Sequence, residues 1–390
     1  MSINHAEPPP GIALVIGTRP EAIKVAPVVT ALSDESHMVP VVISTGQHRD
    51  LVTQMLGQFG ITADIDLSVM AEAQGLGEMA ARILERIAPV LLEHSPAALL
   101  VQGDTTTAMA AALAAFYQRI PVIHLEAGLR TGDRFSPYPE EVNRRLITQL
   151  ASLHLAPTAA AASNLLAEGL APESVIVTGN TVIDALFATL ASRPAYGNDA
   201  LERLDASSRR ILLVTAHRRE SWEGGLRRIA ESLVELTHRL PELAIVFPVH
   251  PNPVVADAVM PLLFDEPQVL LTGPLEYGPF VRLMARSDLI LTDSGGIQEE
   301  GPALGTPTLV TRETTERPEA IAAGGARLVG TDPHRIVREV TQLLSDRVAY
   351  DQMASSPSPF GDGHAAARVV AAIDQLVDRK ERVKLNAAIA

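Results

Sequence analysis

Carboxylates stand at several points of this sequence where an apolar run ends. Residues 103–107 (GDTTT) follow one such run, and Glu126 ends the next run. A single Asp such as Asp104 usually caps a helix, but a carboxylate at the end of an apolar strand, like Glu126, has little structural reason to be there. An isolated salt-bridge cluster is the alternative. Two carboxylates at adjacent strand ends favour a functional site.

The first apolar run also leads into a polar turn, GTRPE, at residues 17–21. A turn that opens a helix after the first strand is a position where phosphate can bind. A plain turn with Pro20 in the first helical turn explains the same residues equally well. Glu21 is then expected to be an ordinary first-turn helix residue with little influence on chemistry.

Two histidines occupy corresponding positions in the second half of the chain. His217 follows the run 211–216, and His250 lies in PVHPNP at the end of the run that begins at residue 243. A lone histidine is usually structural, but two at consecutive strand ends indicate a binding cleft. Zinc is the competing interpretation. The spacing lacks an HExxH pattern and the chain has no cysteine, so the sequence predicts no metal site.

Residues 292–300 (TDSGGIQEE) have the pattern of an anion-binding helix start. An apolar run leads into Ser294, which is expected to cap the helix, and Gly295 and Gly296 leave the first amides accessible to an anion. Glu300 is then well placed for ribose hydroxyls. A Gly-rich turn without a ligand would not require this combination, and no dinucleotide-binding GxGxxG is present.

Alternating strands and helices must position these clusters. The apolar runs are nearly continuous, as expected for parallel strands covered on both faces. The predicted strands are residues 12–16, 39–45, 97–102, 122–126, 153–157, 175–178, 211–216, 243–249, 269–272, 289–292 and 308–310. Helical patterns separate them, for example at 76–92, 226–239 and 333–344. The predicted fold class is α/β, with two Rossmann-like doubly wound parallel-sheet domains facing a cleft.

A chain of 390 residues fits two domains. We place the boundary at the Gly-Asn turn signal of residues 179–180. The N-terminal domain is then 11–178 and the C-terminal domain 179–363. A final helix, within residues 364–390, is expected to pack back on the first domain.

Composition narrows the class of protein. Hydrophobic residues make up 47% and charged residues 20%, which is typical of a packed globular protein. The formal net charge of −14 argues against nucleic acid as a partner. The N-terminus lacks the pattern of a signal peptide and no apolar run is long enough to cross a bilayer. We therefore expect a cytoplasmic protein without a membrane partner.

Together these segments resemble a known family. GTRPEAIKVAP, TGQHRDL, QGDTTT, HLEAGLRTGDRFSPYPEEVNRR, AHRRESWEGG, PVHPNP, TDSGGIQEE and TTERPEAI are similar to the bacterial non-hydrolysing UDP-N-acetylglucosamine 2-epimerases. They occur in order from residue 17 to about residue 325. TDSGGIQEE alone is less specific, because retaining glycosyltransferases of the GT-B fold use a similar helix.

The resemblance implies a GT-B-like homodimer that interconverts UDP-GlcNAc and UDP-ManNAc with neither NAD nor a catalytic metal, and a C-terminal domain that binds UDP. By resemblance, the catalytic residues are Asp104, Glu126, Glu140 and His217. The residues that would hold substrate are Arg19, Lys24, Arg130, His250, Phe280, Ser294, Gly295, Gly296, Glu300 and Arg317. A second, regulatory UDP-GlcNAc site would involve Gln47, His48 and Gln74.

The chemistry of C2 fits this expectation. The C2 hydrogen is not next to a carbonyl, so simple deprotonation is unfavourable. Elimination of UDP to 2-acetamidoglucal, followed by re-addition, needs carboxylates near C2 and cationic or amide groups for the diphosphate. Four alternatives stay open: an epimerase of UDP-2,3-diacetamido-glucuronic acid, a hydrolysing epimerase, a GT-B glycosyltransferase and a non-catalytic nucleotide-sugar binder.

Overall fold

The chain forms two compact units, each built around one parallel sheet. The computed structural model describes residues 9–34, 37–70, 75–218 and 222–389, with side chains described as far as residue 379. One unit contains the residues up to Ala185 and those from Gly361 onward, and the other is Leu186–Phe360. The predicted fold class, α/β with two doubly wound parallel sheets, is confirmed.

The first unit has a seven-stranded sheet in the order β3-β2-β1-β4-β5-β6-β7. Its strands are β1 (Gly11–Ile16), β2 (Val39–Ser44), β3 (Ile65–Asp66), β4 (Ala98–Gln102), β5 (Val122–Leu125), β6 (Leu153–Ala156) and β7 (Val175–Val177). Its first six helices are α1 (Arg19–Asp34), α2 (Arg49–Gln58), α3 (Leu76–His94), α4 (Thr106–Tyr117), α5 (Glu140–Leu150) and α6 (Ala159–Ala167). A 3-10 turn covers Pro172–Ser174. The chain passes into the second unit within α7 (Thr181–Ala191).

The second unit has a six-stranded sheet in the order β10-β9-β8-β11-β12-β13. Its strands are β8 (Arg210–Thr215), β9 (Leu243–Pro248), β10 (Val269–Thr272), β11 (Leu289–Thr292), β12 (Thr308–Val310) and β13 (Ala326–Leu328). Its helices are α8 (Asp199–Asp205), α9 (Gly225–Arg239), α10 (Pro253–Leu263), α11 (Tyr277–Arg286), α12 (Gly295–Ala303), α13 (Pro318–Ala323), α14 (Pro333–Ser345) and α15 (Arg347–Ala354).

The last helix, α16 (Ala365–Ile389), belongs to the first unit and contacts α1. The carboxylate of Asp184 in α7 accepts hydrogen bonds from the amides of Ala365 and Ala366 at 3.2 and 2.8 Å. Asp184 therefore caps α16 and ties it to the point where the chain leaves the first unit. The two compact units divide at Ala185, inside α7, whereas the sequence placed the boundary at residue 179.

Two strands escaped the sequence analysis, β3 and β13. β3 has only two residues and β13 has the charged Arg327 in its middle, so neither produces an apolar run. Each pairs with a neighbour at the edge of its sheet. Inner strands such as β1 and β4 have buried apolar side chains, for example Ile12–Ile16, whereas those of the edge strands β7 and β10 are only partly buried or exposed. Among the described residues, no helix combines the length and apolar character needed to span a bilayer.

In both sheets the order in which strands are added reverses at an equivalent place. The chain builds outward from β1 through β2 to β3 and then returns to add β4 on the other side of β1, and β8 and β11 have the same relation. Ligands of such sheets bind beyond the carboxyl ends of the strands that flank this switch point. The loops after β1 and β4, and those after β8 and β11, are therefore the places to look for a site.

Candidate active site

Asp104 lies just beyond the carboxyl end of β4. Its Oδ2 accepts hydrogen bonds from Nε (3.0 Å) and Nη2 of Arg144, a buried residue of α5. Burial raises the pKa of Asp104, and the Arg144 guanidinium offsets only part of that rise. The helix-cap interpretation of Asp104 is wrong, because Thr105 caps α4 through a 3.0 Å hydrogen bond from the Ala108 amide. Asp104 is thus a partly exposed carboxyl that does not cap this helix.

Glu126 follows β5, the neighbouring strand. The structure ends β5 at Leu125, one residue before the predicted end, and Glu126 has a backbone φ of +65°, a conformation that L-residues rarely adopt. Lys24 and Asn180 donate to its Oε1, and Gln102 donates to its Oε2. This carboxylate is held on both oxygens, and it contributes to the raised pKa of Asp104.

The third candidate carboxylate, Glu140, is the first residue of α5. Its Oε2 is buried and has no hydrogen-bond partner among the residues that the structure describes. The next residue, Glu141, is fully buried and accepts from the amides of Thr131 and Gly132 and from Arg145. Glu141 therefore holds the preceding loop, while Glu140 keeps an oxygen for another partner.

The loop between β1 and α1 is organised by Glu21. This buried carboxylate accepts from the amides of Gly17 (2.8 Å) and Thr18 (2.6 Å), and Thr105 donates to it at 2.6 Å. Burial raises its pKa. We expected Glu21 to be an ordinary residue of the first turn of α1. Instead, its hydrogen bonds connect the start of α1 to the start of α4. Arg19 is exposed at the beginning of α1.

The predicted regulatory residues lie beside the same loop. The Oε1 of Gln47 accepts from Thr107 at 2.9 Å, and the amide of His48 donates to the Gly17 carbonyl at 3.2 Å. A methyl group at Gly17 would collide with the Thr107 hydroxyl, so this close approach requires glycine. Gln74 lies outside the described residues.

Arg130 forms hydrogen bonds with residues other than Asp104, Glu126 and Glu140. Its guanidinium forms a bidentate ion pair with Glu168 at 2.7 and 2.8 Å and donates to the Thr148 hydroxyl. It also donates to the carbonyl of Leu129. These contacts give Arg130 a structural role in holding the loop after β5.

In the second unit, Asp293 joins the loops after β8 and β11. Its Oδ2 accepts from the amides of His217 (2.7 Å) and Arg218 (2.8 Å), and its Oδ1 lies 3.1 Å from Nδ1 of His217. Burial of Asp293 is complete and opposes ionisation, but the contact with His217 and the two amides outweigh it and lower the pKa of Asp293. The imidazole is thereby oriented by a charged carboxylate.

His217 also stacks on His250, which follows β9. The two ring centroids lie 5.6 Å apart with an interplanar angle of 13°. Partial burial and the neighbouring His217 lower the pKa of His250. The structure thus brings together the two histidines predicted from the sequence.

The start of α12 lies next to this cluster along the chain. Ser294 occupies the N-cap position, but its hydroxyl accepts no hydrogen bond from the helix, so the predicted side-chain cap is wrong. Glu300, one turn into the helix, accepts from the Tyr277 hydroxyl at 3.0 Å, and its Oε2 approaches Gly296. Phe280 lies on the same helix as Tyr277, α11, and is partly buried.

Two arginines complete this part of the second unit. The Arg218 guanidinium lies near Gly295 and 3.6 Å from Glu316. Arg317 forms an ion pair with the buried Glu299 of α12. Each guanidinium is thus paired with a carboxylate near α12, and the Glu316 carboxylate lies closer to Gly295 than Arg218 does. The helix dipole favours an anion at the first turn of α12.

Sequence reasoning missed three functional candidates: Asp293, Arg144 and Glu21. All three lie inside motifs that the sequence analysis described, but each also has a partner that is distant in sequence, so only the fold reveals its role. Among the described residues, no group of three or more His, Cys, Asp or Glu side chains could hold a metal ion.

Known proteins are similar to this chain over most of its length. The family model described as UDP-N-acetylglucosamine 2-epimerase matches residues 30–374. A UDP-N-acetylglucosamine 2-epimerase of Yersinia pestis is 49% identical over 375 residues, covering 93% of this chain and 98% of that protein.

Solved structures are similar as well. The UDP-GlcNAc 2-epimerase of Neisseria meningitidis bound to UDP-GlcNAc matches with a TM-score of 0.83 and 44% identity, over 94% of this chain and 100% of that one. The Methanocaldococcus jannaschii enzyme in complex with UDP-GlcNAc and UDP matches with a TM-score of 0.75 and 32% identity, over 94% and 99%.

Proposed function

The chain belongs to the UDP-N-acetylglucosamine 2-epimerase family, whose members are isomerases, and from this premise we propose that it converts UDP-GlcNAc reversibly into UDP-ManNAc. The observation that carries the proposal is the group of carboxylates beyond adjacent strands, Asp104 and Glu126, with Glu140 at the start of α5. Such groups suit the proton transfers that inversion at C2 requires.

We propose an elimination followed by re-addition. A carboxylate removes the C2 proton while the bond between C1 and the UDP oxygen breaks, which yields 2-acetamidoglucal and UDP. A β-phosphate oxygen of UDP then adds back to C1, and a carboxylic acid delivers a proton to the opposite face of C2. Charge develops on the departing diphosphate, which favours fixed donors and cations nearby.

Asp104 is the best candidate for a proton carrier, because its raised pKa brings the acid and base forms closer in energy. Glu140 is the second candidate, since one of its oxygens is unpaired among the described residues. Glu126, held by donors on both oxygens, would instead position Lys24 and the reacting sugar. His217, oriented by Asp293, would donate a proton to the leaving diphosphate. Arg19 stays a proposed substrate-binding residue of the first unit, as the resemblance implies.

The second unit is proposed to hold UDP. The first amides of α12, at Gly295 and Gly296, would bind the diphosphate, and Glu300 the ribose hydroxyls. The other residues proposed to contact the nucleotide are Ser294, His250, Phe280 and Arg317. Arg130 is assigned to the structure of the first unit. Gln47 and His48 remain candidates for a second UDP-sugar site beside Gly17.

The decisive experiment supplies UDP-GlcNAc alone and follows the products by NMR. We expect UDP-ManNAc without an acceptor, NAD or added divalent metal. Free ManNAc as the main product would make the enzyme hydrolytic. Activity that EDTA abolishes and a metal restores would contradict a metal-independent reaction.

Isotopes test the mechanism separately. In D2O we expect deuterium at C2 of the product, because the removed proton exchanges with solvent through a carboxylic acid. The oxygen bridging C1 and the β-phosphate should scramble into non-bridging positions, because UDP separates from the glycal. Retention of the C2 hydrogen and of the bridging oxygen would rule out elimination.

The proposal includes a cytoplasmic homodimer. A UDP-sugar is charged and does not cross a bilayer unaided, so the enzyme must act in the compartment that supplies it; cell fractionation tests this. The dimer is expected from the family resemblance. The exposed aromatic pair Phe116 and Tyr117 in the first unit offers a place for a second copy to bind.

A further inference from the structure

The turn that carries Asp104 is fixed by three buried side chains from three different elements. His124 of β5 contacts the Gly103 carbonyl at 2.7 Å, and Asn143 of α5 donates to the Asp104 carbonyl at 3.0 Å. Thr105 donates to Glu21 of α1. Each residue of the turn therefore has its own partner.

His124 holds the most constrained member of this turn. Gly103 has φ of +69°, its amide donates to Leu125 of β5 at 2.9 Å, and its carbonyl faces Nε2 of His124. Because a carbonyl oxygen only accepts, Nε2 must carry the proton. The imidazole is fully buried, and burial lowers the pKa of His124 to about 3, so it is neutral at pH 7 with its proton on Nε2.

The neighbouring strand supplies a natural comparison. His154 of β6 is the register partner of His124 and is almost equally buried. Burial lowers the pKa of His154 to about 4. The described structure gives it no hydrogen bond to residues 103–105, in contrast to His124. Two similar histidines thus differ in whether they contact the turn of Asp104.

We propose that His124 is a positioning residue for the reaction: through its hydrogen bond to the Gly103 carbonyl it fixes the turn that presents the Asp104 carboxylate to the substrate. The inference rests on the proposed function, because it assigns the reaction to Asp104. A misplacement of a reacting group by about 1 Å can cost about 10²-fold in rate. Loss of this hydrogen bond should therefore lower kcat more than it raises KM.

The reach of the side chain provides the sharpest test. His124→Gln places an amide nitrogen near the position of Nε2, whereas His124→Asn is also neutral and polar but too short to reach the Gly103 carbonyl. We expect His124→Asn to lower kcat by about 10- to 100-fold with KM nearly unchanged, and His124→Gln to restore most of it. The matched control His154→Asn should keep wild-type kcat, with thermal unfolding confirming that all three variants fold.

A double-variant measurement separates positioning from general stabilisation. If His124 acts through Asp104, adding His124→Asn to an Asp104→Asn enzyme should cost much less than in wild type. Equal costs in both backgrounds, or equal kcat in the Gln and Asn variants, would overturn the inference. The wild-type protein is assayed in parallel. If it lacks epimerase activity, the proposed function fails instead, so the two failures are distinguishable.

Discussion

At the scale of single residues, the surroundings of each carboxylate decide its role. Asp104 has one cationic partner and a pKa raised by burial, while Glu126 accepts from Lys24, Asn180 and Gln102. Burial that is only partly offset by a cationic partner makes a carboxyl take up a proton more readily. The raised pKa of Asp104 therefore supports its proposed role as the proton carrier.

Replacement of Asp104 by Asn should remove proton transfer without changing the shape of the side chain. Loss of one general acid–base group costs about 10²–10⁴ in rate, so kcat should fall by that order. UDP affinity, measured by calorimetry, should stay near wild type. Asp34→Asn, at the exposed end of α1, is the control and should be as active as wild type. Near-normal kcat for Asp104→Asn would remove it from the site.

The orientation of His217 depends on Asp293. In Asp293→Asn the amide oxygen can still accept from the His217 and Arg218 amides, but its NH2 would face Nδ1 and favour the other tautomer of the imidazole. Acid–base catalysis by His217 should then weaken, with kcat lower by about 10²–10⁴. Asp288→Asn is the control variant. Asp288 precedes β11, at the end opposite to Asp293, and accepts a hydrogen bond from the Ile211 amide. Equal kcat in the two variants would contradict the assignment.

At the scale of elements, the strand pair β5 and β6 carries two buried neutral histidines, and this predicts a pH dependence of stability. The pKa values of His124 and His154 are lowered to about 3 and about 4, below about 6.5 for unfolded histidine. Between these values the unfolded chain binds more protons than the folded one. The contribution of the two neutral histidines to the free energy of unfolding should therefore be present near pH 7 and be lost as the pH falls through 6 toward 4.

The variant His154→Leu measures the contribution of the proton that His154 takes up on unfolding. His154→Leu cannot take up a proton on unfolding, so its loss of stability on acidification should be shallower than that of wild type. One proton corresponds to a slope of about 1.4 kcal/mol per pH unit. Urea unfolding of the first unit between pH 5 and 8 measures it. Parallel curves for wild type and His154→Leu would contradict a buried neutral histidine at this position.

Helix α12 is the element proposed to bind the nucleotide. Glu300→Ala removes the carboxylate assigned to the ribose hydroxyls, and a lost charged hydrogen bond costs about 1.5–3 kcal/mol, or about 10- to 100-fold in affinity. Calorimetry with UDP should show this loss. Tyr277→Phe removes only the hydroxyl that donates to Glu300 and should weaken binding less. Unchanged UDP affinity in folded Glu300→Ala would count against the assignment.

At the scale of the whole molecule, association of two copies is the open prediction. Phe116 and Tyr117 are 52% and 72% exposed, and the two aromatic ring centroids lie 6.5 Å apart. Exposed apolar surface of this kind often marks an interface. Light scattering should give a dimer for wild type and a shift toward monomer for Tyr117→Glu. Phe264→Glu, equally exposed in the second unit, should remain dimeric; a wild-type monomer would refute the prediction.

Much of the fold was predictable from the sequence, because parallel strands that are buried on both faces consist of consecutive apolar residues. Eleven of the strands follow from such runs. β3 and β13 do not, since β3 has only two residues and Arg327 interrupts β13. The positions of Asp104, Glu126, His217 and Ser294 at strand ends were predictable for the same reason. Roles that need a distant partner, such as the pairing of Asp104 with Arg144, were not.

The sequence by itself determined the α/β class, the order of elements and the motifs that identify the family, since all three are recorded in local periodicity and spacing. Tertiary structure alone decided which side chains meet. Asp104 reaches Arg144 across 40 positions because α5 packs beside α4. His217 reaches Asp293 across 76 because the adjacent parallel strands β8 and β11 bring their carboxyl ends together. Burial, which raises the pKa of Asp104, likewise exists only once the sheet and its helices have packed.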